Sequence, residues 1–401
     1  MRTIPIVAAG HSTSAGHAFK APPPLGLYIH FPWCVRKCPY CDFNSHEAKG
    51  EIPGDDYVAA LIADLESALP LVWGRRAATV FIGGGTPSLL SPAAVERLLT
   101  QIRMRLPLAP DAEITLEANP GTVEAEHFAA FREAGVTRLS LGIQSFADAQ
   151  LAALGRIHGG AEARRAAELA ATHFSNFNLD LMYGLPGQTL AAALHDIDTA
   201  LSFAPPHLSC YQLTLEPNTA FAAAPPVLPE ADTCADMQET IEARLTAAGY
   251  ANYETSAFAR DGQRCRHNLN YWLFGDYLGI GAGAHSKLTF HDGIHRQMRW
   301  KQPRQYLAQT AAGAPVQDEH AVGIADVAFE FMMNALRLAD GFTIASFEQR
   351  TGLPWLSVDA EVGAAVADGL LDRDGERIAP TPRGRRFLNV LLRRFLPAAA
   401  G

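Results

Sequence analysis

Cysteine is scarce in this chain, with six residues in 401. Basic residues are outnumbered: 33 Lys and Arg stand against 42 Asp and Glu, for a formal charge of −9. A protein that wraps nucleic acid without sequence preference wants the opposite sign, so phosphate-backbone binding is disfavoured. No apolar run approaches the ~18 residues of a membrane-spanning helix. No internal repeat is visible. The remaining composition is ordinary, at 48% hydrophobic and 19% charged, enough for a sizeable core and, at this length, for two domains.

The opening "MRTIPIVAAGHSTSAGHAFKAPPP" has one early Arg and a short apolar patch, soon interrupted by His11 and Ser12. That patch is shorter than the core of a secretory signal. Residues 1–24 are therefore expected to be a disordered leader, and the chain cytoplasmic. In a reducing compartment, clustered cysteines are metal ligands or catalytic groups more often than disulfides.

From Leu25 to Pro217, apolar stretches alternate with amphipathic ones. "GLYIHF", "ATVFIGGG", "EITLEAN", "RLSLGIQSF", "FNLDLMYGL" and "HLSCYQLTLEP" read as strands. "DDYVAALIADLESAL", "SPAAVERLLTQIRMRL", "VEAEHFAAFREAG" and "GAEARRAAELAATH" repeat apolar residues at helical steps. Ser91 and Thr122 suit N-caps, and Gly135 a helix stop. The alternation implies a parallel sheet. "GGGTP" (Gly83 to Pro87), Glu117, Gln144 and Asp180 each fall near the end of a different strand. Site residues at the ends of many successive strands suggest a barrel mouth. The expected fold class is α/β, an incomplete (β/α)6 barrel over residues 25–305. Within it, "AFAAAPPVLP" reads as a linker, Thr233 to Ala248 as a helix and Tyr250 to Trp300 as irregular. Residues 306–401 are expected to form a smaller, mainly α-helical, winged-helix-like C-terminal domain: from Gly323, three helices precede a hairpin. Its would-be recognition helix carries Asp359, Glu361 and Asp368 and no basic residue, so a packing or lid role is favoured over DNA binding.

Half of the cysteines crowd into "HFPWCVRKCPYCDF", at Cys34, Cys38 and Cys41. Three thiolates do not complete a four-ligand zinc site, although His30 or His46 leaves a Cys3His site open. A [4Fe–4S] cube held by three cysteines keeps one iron free for a small molecule. The C-x-x-x-C-x-x-C loop after a first strand resembles the cluster loop of the radical S-adenosylmethionine (SAM) superfamily. That resemblance implies a [4Fe–4S] cluster whose open iron chelates the methionine end of SAM, and an electron that breaks a carbon–sulfur bond to give a 5′-deoxyadenosyl radical. "GGGTP" resembles the methionine-binding segment, whose backbone carbonyls are the expected acceptors for the ammonium group. Glu117 suits ribose hydroxyls.

The whole span from Leu25 to Trp300 resembles the oxygen-independent coproporphyrinogen III oxidase family, through "LYIHFPWC", "GGGTPSLL", "LEANPGT", "LSLGIQSF", "LGRIHG" and "NLDLMYGLPGQT" in order. It implies cofactor contacts at Tyr28, Gly84, Gly85, Thr86, Glu117, Gln144, Arg156 and Asp180, with Tyr40 packed on adenine. Asp180, inside an apolar strand, needs a partner in any case, and Arg156 also fits a surface ion pair. Two features depart from the decarboxylase: Phe43 stands where it has a fourth cysteine, and its longer N-terminal segment has no counterpart here. "CDFNSH" and "HNLNYW" (His267 to Trp272) instead resemble the HemW-type haem chaperones of the same family. That branch implies haem as cargo, with His267 the candidate iron ligand and Tyr271 and Trp272 as flat faces for the ring. It also implies a haem-acceptor protein, membrane-bound or not, a reductant for the cluster and a homodimer, with no nucleic-acid partner. Radical decarboxylation of coproporphyrinogen III is the rival activity. No C-x-x-C-H string is present, and Cys265 is the remaining attachment point to weigh. "GIGAGA" (Gly279 to Ala284) reads as a packing turn near the mouth rather than a dinucleotide loop, with His285 facing the site. Cys210 and Cys234 read as structural, and Asp196 and Asp198 as a solvated helix face.

Overall fold

The computed structural model describes residues 19–121 and 125–397. Thr122 and most of the expected leader lie outside them. Six strands run parallel in chain order: β1 (Leu25–Phe31), β2 (Ala77–Gly84), β3 (Leu108–Ala118), β4 (Arg138–Gln144), β5 (Phe177–Tyr183) and β6 (His207–Gln212). Side chains on both faces are buried along most of β1 and β5, because helices cover the outer face. Those helices include α1 (Gly54–Ala68), α2 (Pro92–Arg105), α3 (Phe128–Glu133), α4 (Gly160–His173), α5 (Leu190–Ser202) and α6 (Ala231–Ala247). Ser91 caps α2, its side chain accepting from the Ala94 amide at 3.2 Å. Gly135 follows α3 at φ 103°, a conformation that closes the helix at little steric cost.

The stretch from Tyr250 to Trp300, expected to be irregular, is strand-rich. It holds β7 (Ala251–Glu254), β8 (Ala257–Ala259), α7 (Arg266–Trp272), β9 (Asp276–Ile280), β10 (His285–Phe290) and β11 (Gly293–Arg299). With β12 (Val316–Ala321) they complete an open twelve-stranded sheet, ordered β12-β11-β10-β9-β1-β2-β3-β4-β5-β6-β8-β7. β9 pairs parallel to β1, and β10 to β12 return antiparallel. The strands were hidden by polar residues that are paired inside. Asp276 accepts from Lys287 at 3.2 Å and Arg75 at 2.8 Å, and Asp64 accepts from Arg299 at 3.1 Å.

The sheet thus runs past residue 305, where composition had suggested its end. α8 (Pro303–Ala311) contacts α1, and β12 forms the edge. Beyond it come α9 (Ile324–Ala335), β13 (Phe342–Thr343), α10 (Ile344–Thr351), α11 (Asp359–Ala367), β14 (Leu371–Asp374) and β15 (Arg377–Pro380). Three helices and a small sheet ordered β13-β15-β14 give the expected winged-helix order. Phe331, Phe347, Val362 and Ile378 form its core, joined by Phe274 and Ile294 from the sheet region.

Candidate functional site

The cysteine loop leaves β1 at the strand's C-terminal end. Trp33–Cys34 forms a two-residue parallel ladder with His46–Glu47. The Cys41 amide donates to the Cys38 carbonyl at 3.1 Å, which closes a turn. Lys37 Nζ donates to the carbonyls of Phe43 and Ser45, both at 3.1 Å, and ties the loop's far side down. All three thiols are free and half-buried. They open into one cavity of about 380 Å³, which Tyr40, Gly84, Gly85, Thr86, Glu117, Gln144, Arg156 and Asp180 also line.

Each of these residues is held by a specific device. Gly84, at φ 117°, lies under the His30 ring and the Phe31 carbonyl, where a Cβ would collide. The Gly84 amide donates to Glu117 Oε2 at 3.0 Å. Burial raises the Glu117 carboxyl to about 7, against the pull of that amide. Arg156 makes no surface ion pair among the described residues. It donates to Cys38 Sγ at 3.5 Å, to the Gly142 carbonyl at 2.8 Å and to Asn119 Oδ1 at 2.6 Å. Its Nε is buried without a partner among the described residues. Asp180 has the partners its burial demands: Ser140 Oγ at 3.1 Å and Asn178 Nδ2 at 2.8 Å. Gln144 is left-handed at φ 67°, with Oε1 accepting from Tyr211 at 2.7 Å. A non-glycine residue held there stores about 1–3 kcal/mol of strain, as site residues often do. Tyr40 packs toward Phe221, with ring centroids 6.3 Å apart.

The donor set fits an iron–sulfur cluster. Among the described residues no three His, Cys, Asp or Glu side chains converge on one metal ion, these cysteines included. Three soft thiolates spaced around a cavity suit irons at different corners of a cube. Neither histidine offered for a Cys3His zinc site lines the thiol cavity: His30 spends Nδ1 on the Tyr28 hydroxyl and Nε2 on the Asn44 carbonyl, both at 2.9 Å, and His46 Nε2 pairs with Asn44 Oδ1 at 3.3 Å.

A second cavity, about 560 Å³, adjoins the first and shares Phe43, Gly84 and Glu117 with it. Its walls are aromatic: Tyr28, Phe81, Tyr271, Trp272 and Tyr277. Tyr28 and His267 face this cavity and not the thiols. His267 sits on helix α7, not in a loop. Glu113 anchors the start of that helix, accepting from the Arg266 and His267 amides at 3.1 Å each. His267 Nδ1 pairs with Thr79 Oγ1 at 2.8 Å, and its ring lies 5.0 Å from Phe81. Burial and the Arg138 charge lower its pKa to about 3.

Residues 28–200 match the model of the Radical SAM superfamily, and residues 325–387 that of the HemN C-terminal domain. Heme chaperone HemW of Escherichia coli is 52% identical over 93% of this chain and 98% of its own length. Heme chaperone HemW of Bacillus subtilis is 35% identical over 92% and 98%. This chain belongs to the HemW family. The solved structure of E. coli coproporphyrinogen III oxidase (HemN), a radical SAM enzyme, superimposes with a TM-score of 0.79 at 26% identity, covering 93% of this chain and 90% of that one.

Within this HemW-family chain, sequence reasoning missed Asn119. It stands inside the quoted "LEANPGT", donates to Thr86 Oγ1 at 2.8 Å and accepts from Arg156, linking two candidate residues. Asp196 was misjudged. It is 2% exposed and accepts from Ser145 Oγ and the Phe146 amide, both at 2.7 Å, fixing the loop after β4. Asp198 does lie on the surface, paired with Arg244 at 2.6 Å. Cys265 is fully buried with Sγ on Glu113, and burial raises its thiol to about 12, so it offers no attachment point. Cys210 and Cys234 are buried, as expected. "GIGAGA" is the turn from β9 to β10, packed on the His30 backbone.

Proposed function

We propose that this chain is a haem chaperone built on a radical SAM scaffold. Cys34, Cys38 and Cys41 would hold a [4Fe–4S] cluster in the first cavity. SAM would lie beside it, against Gly84, Gly85 and Thr86, with Glu117 and Asp180 as acceptors, Gln144 and Arg156 as donors, and Tyr40 along the adenine. A reduced cluster with SAM bound supplies one-electron cleavage chemistry. The chain's own contribution is to orient the cofactor, and to shield it behind Phe43 and the aromatic residues.

Haem would occupy the second cavity, against Tyr271, Trp272 and the ring of His267, and pass from there to an acceptor protein. The observation that carries this reading is the shared wall: a thiol-lined cavity and an aromatic one meet at Phe43, Gly84 and Glu117. No helix among the described residues is long and apolar enough to cross a membrane. We place the chaperone in the cytoplasm, as a homodimer, with an external reductant and an acceptor that includes membrane-bound proteins. The C-terminal unit, with Asp359 and Glu361 opening α11, serves as packing against the sheet and not as a DNA reader.

The test is uptake and transfer. Purified protein should bind haem one to one and pass it to an apo-haemoprotein. Reconstituted with cluster, SAM and reductant, it should form no protoporphyrinogen from coproporphyrinogen III. Turnover of that substrate would overturn the chaperone reading in favour of the oxidase.

A further inference from the structure

Three histidines line the aromatic cavity, and their ring nitrogens are committed to different degrees. His30 has both engaged, by Tyr28 and Asn44. His267 has Nδ1 engaged by Thr79, and its ring is packed on Phe81 and beside Gly26. His285 makes no side-chain hydrogen bond to any described residue, and it is the one exposed position of β10, whose burial otherwise runs BBBB and then half-buried.

The strand register says where His285 points. Tyr28 pairs with Gly279, Tyr277 with Lys287, Lys287 with Arg296, and His285 with Met298. Side chains alternate along a strand with a period of two, so His285, Tyr277 and Arg296 share one sheet face with Tyr28. That face forms the aromatic cavity. Arg296 donates to the Tyr277 hydroxyl at 3.1 Å, and its charge and that of Lys301 both bear on His285. A free imidazole beside an aromatic slot suits a planar iron macrocycle; Arg296, the one cation lining the slot among the described residues, is held by Glu330 at 2.7 Å.

We propose that His285 is the imidazole that binds the haem iron, with His267 forming part of the wall. This assignment rests on the reading of the cavity as the haem site. It separates the haem ligand from the "HNLNYW" segment, which then supplies ring faces.

Haemin titrations of wild type, His285→Ala, His285→Tyr and His267→Ala, followed at the Soret band, decide it. His285→Ala should bind at least ten-fold more weakly with a shifted Soret band, and added imidazole should restore the wild-type band. His285→Tyr, which keeps the ring bulk, should show a phenolate-ligated spectrum. His267→Ala, which trims the wall, should weaken uptake, but the haem that binds should keep the wild-type Soret position and need no added imidazole to do so. Wild-type affinity and spectrum in both His285 variants would overturn the assignment while leaving haem binding intact. Failure of wild type to take up haemin would overturn the cavity reading and the assignment together.

Discussion

Arg156 donates to the side-chain oxygen of Asn119 at 2.6 Å, and Asn119 donates onward to Thr86 at 2.8 Å. Through that relay a residue on the loop after β4 is tied to the end of β2, and the same guanidinium reaches Cys38. The cysteine loop and the glycine-rich turn are therefore set in register by one half-buried cation.

Arg156→Ala should uncouple them. It leaves Asn119 Oδ1 and the Gly142 carbonyl short of a donor, at a cost of about 1–3 kcal/mol for each buried group left unsatisfied. Thermal melts should show that loss. SAM affinity of the reconstituted protein, by calorimetry, should fall about ten-fold or more, since 1.4 kcal/mol is a factor of ten. Asn119→Ala should reproduce part of both effects. Unchanged SAM affinity in Arg156→Ala would remove it from the cofactor site.

Glu117 should make the apo-protein less stable as pH rises. Its folded pKa is about 7, above the roughly 4.3 of an unfolded glutamate. The folded state thus holds more protons between those values. The stabilisation is full below the unfolded value and lost as pH climbs through the folded one. The span is on the order of 3 kcal/mol. Glu117→Gln should flatten this part of the stability–pH curve, measured by urea unfolding from pH 4 to 8 as a roughly neutral-pH series of about six points. Parallel curves for the two proteins would contradict the buried acid.

Phe43 is 61% exposed yet lines both cavities. Phe43→Ala should change stability by no more than about 0.5 kcal/mol, as surface substitutions do. Haem uptake should nonetheless weaken several-fold, because the ring closes the wall between haem and cofactor. A large drop in melting temperature with haem affinity intact would reverse that assignment.

Gly85 has no room for a side chain: a Cβ would meet the Trp33 carbonyl, next to Cys34. Its amide donates to the Phe31 carbonyl at 2.6 Å. Gly85→Ala should push the cysteine strand aside, at about 1–3 kcal/mol for the overpacking. Iron content after reconstitution should drop with it. Full iron loading in this variant would show that the two segments move independently.

The parallel half of the sheet was legible because the central residues of β1 to β6 are largely buried and so read as short apolar runs. β10, β11 and β12, "HSKLTF", "GIHRQMR" and "VQDEHA", were not legible: Lys287 and Arg299 are satisfied only across the fold, and β12 is an exposed polar edge. Lys287 finds Asp276, and Arg299 finds Asp64 some 235 positions away. Asp196 failed for the same reason: a helical aspartate reads as solvated until Ser145 is brought to it. Local spacing did announce the cysteine loop, since all three thiols belong to one turn. Asn119 carried no such signal. It is a single amide after a strand, and only the fold shows that it joins Thr86 to Arg156.

Iron and sulfide analysis after anaerobic reconstitution, on wild type and on the variant with Cys34, Cys38 and Cys41 all changed to serine, is the most direct test. Wild type should carry about four irons and four sulfides per chain with a brown chromophore, as a [4Fe–4S] cluster requires, and the serine variant should carry none. Equal metal content in the two proteins, or a colourless wild type, would contradict it.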